Sequence, residues 1–154
     1  MNSLWCLTRV LKREVKDEMC LGNEKDVTEE QQKMIMTAFK VFKVAEGELW
    51  GVYYSMEDKD GDSRPYRENK WEKATVREYL EIENSGFHCF MERSDAEMLA
   101  NDQNEWCNSR VNYIVRKVKV RGLMKIGKPR GMGPVCFTMN GKAFTCREML
   151  IMKE

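Results

Sequence analysis

The chain has 154 residues, 42% apolar, 33% charged and 10% aromatic, which suits one domain with a packed core and excludes a disordered tail. Charge breaks every apolar run within about eight residues, far short of the roughly 18 that a membrane-spanning helix needs, so a soluble chain with no membrane partner is expected. The 26 Lys and Arg against 25 Asp and Glu sum to +1, but residues 1–109 hold 15 basic and 23 acidic side chains (net −8) while residues 110–154 hold 11 and 2 (net +9).

Leu4, Leu7, Leu11, Val15 and Met19 recur at helical steps behind Ser3 as a cap, which predicts an amphipathic helix ending at Leu21-Gly22-Asn23. Glu14, Asp17 and Glu18 dilute its basic face, which favours packing on a core or a partner over lying on a membrane. Thr28 and Gln31 have capping-box spacing and predict a second, short helix from Glu29 to about Met36. Together the two make an N-terminal helical appendage, residues 1–35, ahead of an α+β domain over residues 36–154.

From Ala38 the period changes to two. Phe39 and Val41 alternate with Lys40 in a strand that turns at Glu46-Gly47 and returns through Leu49 to Tyr54 as a hairpin. The polar stretch from Glu57 to Arg67 carries Asp58, Asp60 and Asp62, but an EF-hand loop starting at Asp58 would need glycine sixth and glutamate twelfth. Here Gly61 is fourth and Asn69 twelfth, so a solvated turn is expected. A short extended piece surrounds Trp71, Val76 to Ile82 fits helix or strand, and Asn84-Ser85-Gly86 is a turn. Phe87 to Met91 is a compact apolar strand.

Ser94 with Glu97 repeats the capping-box spacing before a helix from Asp95 to about Trp106 that buries Met98, Leu99 and Trp106. Asn112 to Arg121 is the clearest strand, and Leu123 to Ile126 extend it past Gly122. Gly127 to Pro134 reads as a loop, and Asn140-Gly141 predicts a type I′ hairpin joining Val135–Met139 to Lys142–Cys146. In that register Cys136 faces Thr145 and Cys146 faces Val135, which puts the two thiols on opposite faces. The expected fold is α+β: a mostly antiparallel sheet of five to seven strands, one packed helix and the N-terminal helical appendage.

The six cysteines lack a secretory signal ahead of them, since Arg9, Lys12 and Arg13 stand where an apolar stretch would be, so an intracellular protein with reduced thiols is expected. None of the cysteines forms a Cys-x-x-Cys pair, and adjacent His88 and Cys89 point to opposite faces of a strand, so neither a metal nor another cofactor is expected.

Lys117, Lys119 and Arg121 alternate with Val118 and Val120, placing three cations on one strand face about 6.7 Å apart, a spacing comparable to that of neighbouring phosphates on a nucleic-acid strand. Arg116 and Lys125 add to the cluster, and no acid occurs between Arg110 and Arg147. One reading is a binding face for nucleic acid or an acidic protein; the other is a solvated face balanced by the acidic first part of the chain. His88, the sole histidine, supports a second class of function: a small nucleotide- or nucleic-acid-directed enzyme in which it acts as base or orienting donor near Tyr66 and Glu97. Against that stands the ordinary role of a lone histidine in a strand, packed with one nitrogen satisfied. The glycine-rich Gly127–Gly133 stretch precedes a strand and offers no helix dipole to a phosphate.

Phe39-Lys40-Val41-Phe42-Lys43-Val44, Tyr66 to Ala74 around Trp71, Gly86-Phe87-His88-Cys89-Phe90 followed by Asp95-Ala96, Val115 to Gly122 and Glu148-Met149-Leu150-Ile151 occur in an order that resembles a group of small uncharacterised proteins of bacteriophages, other prokaryotic viruses and some bacteria. The resemblance spans roughly residues 36–154. It carries no activity, and implies an intracellular, virus-linked accessory role. A histidine strand followed by a helix is also similar, by analogy alone, to ADP-ribosyltransferase-like folds, whose aromatic and glutamate signatures are not recognisable here. The function expected is a non-enzymatic interaction protein that binds a host protein or nucleic acid through its charged surface; a homo-oligomer is compatible with this.

Overall fold

The clearest strand in the sequence does not stop at Ile126 but continues to Pro129, and the main sheet is assembled on it. A computed structural model describes residues 21–52, 56–74, 86–106, 111–129 and 141–154. Within these residues the order is β1 (Leu21–Asp26), α1 (Glu29–Lys33), β2 (Met36–Ala45), β3 (Glu48–Gly51), β4 (Met56–Glu57), β5 (Ser63–Arg64), β6 (Trp71–Lys73), β7 (Phe87–Phe90), α2 (Arg93–Trp106), β8 (Asn112–Pro129) and β9 (Ala143–Ile151). Seven strands form one antiparallel sheet, and β4 and β5 pair separately.

One edge of β8 carries β2 along Asn112–Val120 and β1 along Lys125–Pro129, and its other edge carries β9 along Val118–Gly127. The far edge of β9 is taken by β7 at Ala143–Cys146 and by β6 at Glu148–Leu150. Because β7 also meets β2, at Phe39 and Phe90, pairing runs in a closed circuit from β8 through β2, β7 and β9 back to β8. The sheet therefore curls around an interior, and β8 has to bend. The bend lies at Gly122, whose φ of 69° strains any residue with a Cβ, next to the register slip between Leu123 and Lys125.

Alternation along the strands sorts the side chains into two sets. Ala38, Phe42, Phe87, Cys89, Val118, Val120, Phe144, Cys146, Met149 and Ile151 fill the interior. On the outer face, Val41, Phe90 and Ala143, with Phe39, Tyr113 and Val115 beside them, pack under Ala96, Leu99 and Ala100 of α2. The first hairpin forms as expected, with Glu46 and Gly47 at positive φ as its two-residue turn and Ala45 opposite Glu48.

Several expectations are corrected. Residues 1–20 lie outside the described residues, but Leu21-Gly22-Asn23 do not end a helix: Leu21 and Gly22 pair with Pro129 and Lys128. Of the expected helical appendage only α1 is seen among the described residues. Its capping box is reciprocal: Gln31 N donates to Thr28 Oγ1 at 3.1 Å and Thr28 N donates to Gln31 Oε1 at 2.9 Å. It stops at Lys33 because Met36 is already paired with Val120. Helix α2 begins at Arg93, so Ser94 lies in its first turn and does not cap it, and Met98 is only half-buried. The side chain of Trp106 and the segment Val76–Ile82 lie outside the described residues.

The Asn140-Gly141 hairpin is also revised. Ala143 to Cys146 have β7 on one edge and β8 on the other, which leaves them no edge for the partner strand expected at residues 135–139. Residues 130–140 themselves lie outside the described residues.

Gly86 (φ 87°) is the tightest backbone approach: a Cβ there would stand 2.6 Å from the carbonyl oxygen of Cys146, whereas one on Gly122 would stand 3.1 Å from the Arg147 side chain. Gly122→Ala is expected to cost about 1–2 kcal/mol, and Gly86→Ala more, since a paired backbone carbonyl cannot move aside. Urea unfolding of the two variants checks the order, and equal losses would show that the close approach at Gly86 is absent.

Candidate functional site

Along the outer face of β8, Tyr113 and Val115 lie beside α2, and the next outward positions are Lys117, Lys119 and Arg121. Register sets their neighbours. Lys117 lies opposite Phe39; Lys119 lies between Thr37 and Leu150, with Trp71 beyond; Arg121 lies opposite Glu148, with Lys73 beyond. Lys117, Lys119 and Lys73 are exposed, while Phe39, Trp71 and Leu150 are half-buried.

The three cations of the row are not equivalent. Lys117 and Lys119 form no ion pair among the described residues. Arg121 donates from Nε and Nη2 to the two oxygens of Glu148 at 2.9 and 3.1 Å, and its guanidinium lies 3.9 Å from the Trp71 ring centroid. The hydrogen bond from Arg121 holds the Glu148 carboxyl below the usual carboxylate range and raises the arginine in turn. A second aromatic–cation contact flanks the row, with the Arg93 guanidinium 5.0 Å from the Phe39 ring.

The other two expected binding cations are engaged elsewhere. Arg116 lies across from Lys40 on the opposite side of β8 from the row, and donates to the Met152 carbonyl at 2.6 Å and to Glu68 at 3.3 Å. Lys125 lies beyond the bulge and is paired with Asp26. The row expected from sequence is therefore brought together, while Arg116 and Lys125 are kept apart from it.

The enzyme triplet is not assembled. Tyr66 is buried with Phe42 and Phe87, at centroid distances of 5.2 and 5.9 Å. His88 lies between the inward-facing Phe87 and Cys89, so the pleat turns it to the other side, towards the face of Phe90. Glu97 is exposed on α2 and lies 4.0 Å from Arg93.

Two features of the site have no signal in the alternation along β8. Trp71 and Phe39 are neighbours of the lysine row only through cross-strand register, which no local signal carries. Lys40, the polar position of an alternating strand by sequence, points inward: its Nζ donates to the His88 carbonyl at 2.9 Å in the interior that holds Cys89 and Cys146. A signal did exist, since Ala38, Phe42 and Val44 on the same face are all apolar. Burial pushes the Lys40 pKa down, and burial first, then the neighbouring Cys89 thiol, pushes the Cys146 thiol well up. Among the described residues no group of three or more His, Cys, Asp or Glu side chains is placed to hold a metal ion.

Glu72 anchors the β5–β6 segment. Its side chain is fully buried, with Arg64 donating at 2.6 Å and Arg67 at 2.9 and 2.6 Å. Burial alone would raise its pKa, but the hydrogen bonds and charges of the two arginines outweigh it and hold the carboxyl below its ordinary value. A depressed carboxyl contributes stability above its unfolded pKa and loses it as the pH falls. Glu72→Gln is therefore expected to cost about 1–3 kcal/mol at neutral pH. The gap to the unsubstituted chain should narrow below about pH 4, measured by urea unfolding across that range; a constant gap would show that the charge is not what matters.

Comparison of the chain with protein-family models, curated proteins and solved structures finds no match to any of them.

Proposed function

We propose that this is a non-enzymatic interaction protein, a virus-linked accessory protein acting inside the cell, which docks a negatively charged macromolecule of the host on the outer face of β8. The observation that carries the proposal is the pair Lys117 and Lys119, exposed side by side and without a carboxylate partner among the described residues, where the sheet emerges from under α2. Balancing the acidic first part of the chain does not account for them. Asp26 and Glu68 of that part pair with Lys125 and Arg116, Glu148 of the last part pairs with Arg121, and neither lysine has an ion pair among the described residues. The cellular setting rests on the resemblance over residues 36–154. The enzyme reading gains nothing from the geometry, with Tyr66 in the interior, His88 on the opposite face of β7 and Glu97 exposed on α2.

Lys117→Glu/Lys119→Glu is expected to elute from an immobilised polyanion such as heparin at clearly lower salt than the unsubstituted chain, with an unchanged unfolding midpoint because both side chains are exposed. The reversal Lys59→Glu/Lys142→Glu changes net charge equally off β8 and should elute later than the β8 pair. Equal elution of the two double variants would mean that only net charge counts and that β8 is not the docking face.

A further inference from the structure

The cations on the outer face of β8 stand among aromatic surfaces, and this narrows the class of partner. We infer that the partner is a single-stranded nucleic acid, its phosphates following Lys117 and Lys119 and its bases stacking at the Trp71–Arg121 pair; the inference rests on the reading above that this face is the docking surface.

Lys119 and Trp71 share one cross-strand row, separated by β9. At the usual strand spacing they stand about 10 Å apart, a separation that one nucleotide spans from phosphate to the far edge of its base. Lys117 and Lys119 are two residues apart on one pleat, about 6.7 Å, which suits consecutive phosphates of an extended backbone. The stacking element is built in advance. The Arg121 guanidinium is held by two hydrogen bonds to Glu148 and lies 3.9 Å from the Trp71 ring centroid, so two planar groups are fixed together on a half-exposed surface. Bases stack on indole rings and on guanidinium planes alike, whatever their sequence. Glu148 is neutralised by the same arginine, and Glu97 and Glu154, at the Phe39 end of the row, lie against Arg93.

The competing partners use this face less completely. An acidic polypeptide would satisfy the lysines and leave Trp71 without a role. A duplex hides its bases in grooves, which are read by a helix or ribbon that projects into them, whereas this face is the surface of a curled sheet.

The test is a fluorescence-anisotropy titration of the full chain with three labelled probes: a mixed-sequence DNA single strand, the same sequence as a duplex, and polyglutamate. The single strand should bind tightest. Lys117→Gln/Lys119→Gln should reduce the slope of log K against log salt by about 1.4, at about 0.7 per lost phosphate contact on a single strand. Trp71→Leu should weaken single-strand binding about tenfold while leaving that slope and polyglutamate binding unchanged, and Trp71→Phe, which keeps a π face, should retain most of the affinity. A single strand that binds no better than duplex or polyglutamate, or Trp71→Leu without effect on it, overturns the nucleic-acid inference and leaves the docking face standing. If the lysine variant binds every probe as the unsubstituted chain does, the docking face fails as well.

Discussion

Strand β8 is paired along both edges through its middle, to β2 and then β1 on one side and to β9 on the other. A long strand hydrogen-bonded in this way cannot stay flat, because twist accumulates along it and its two neighbours are drawn round until they meet through β7. Closure removes exposed strand edges from the middle of the structure and gives the sheet an inside and an outside. Gly122 and the slip beside it let the strand turn while both ladders continue.

Once the sheet has two faces, each side chain on β8 has an assigned environment. Val118 and Val120 go inward with Met149 and Ile151; Tyr113 and Val115 go outward beside α2. The helix covers only part of the outer face, and the strand continues beyond it with Lys117, Lys119 and Arg121 towards solvent. The same division places Lys40 among thiols and aromatic rings. A buried lysine is tolerated there because its Nζ donates to the His88 carbonyl and because burial favours the neutral amine over the ammonium.

The near-zero net charge has a structural account. Acids from the first part of the chain meet bases from the last part across the fold: Asp26 with Lys125, Glu68 with Arg116. These two pairs tie β1 and the segment before β6 to β8. Exposed ion pairs of this kind contribute little stability each, but they settle which cations remain available to a partner. On the outer face of β8, Lys117 and Lys119 are the cations without an ion pair among the described residues.

Local signals in the amino-acid sequence were enough for the elements with short-range causes. The capping box at Thr28 and Gln31, the turn at Glu46-Gly47, the strand at Phe87–Phe90 and the outward row on β8 all follow from residues a few positions apart. The site was half legible for the same reason: alternation put Lys117, Lys119 and Arg121 on one face, but could not bring Trp71 and Phe39 to it, since they arrive from other strands. Asn140-Gly141 shows the limit from the other side, a strong turn signal beside a strand that offers the expected partner no edge, because β7 and β8 occupy both edges of Ala143–Cys146. Sequence determines what each segment prefers over a few residues. Which strand lies beside which, that Lys40 faces inward, and which cations are left unpaired are settled only when distant segments compete for the same hydrogen-bonding edges and the same buried space.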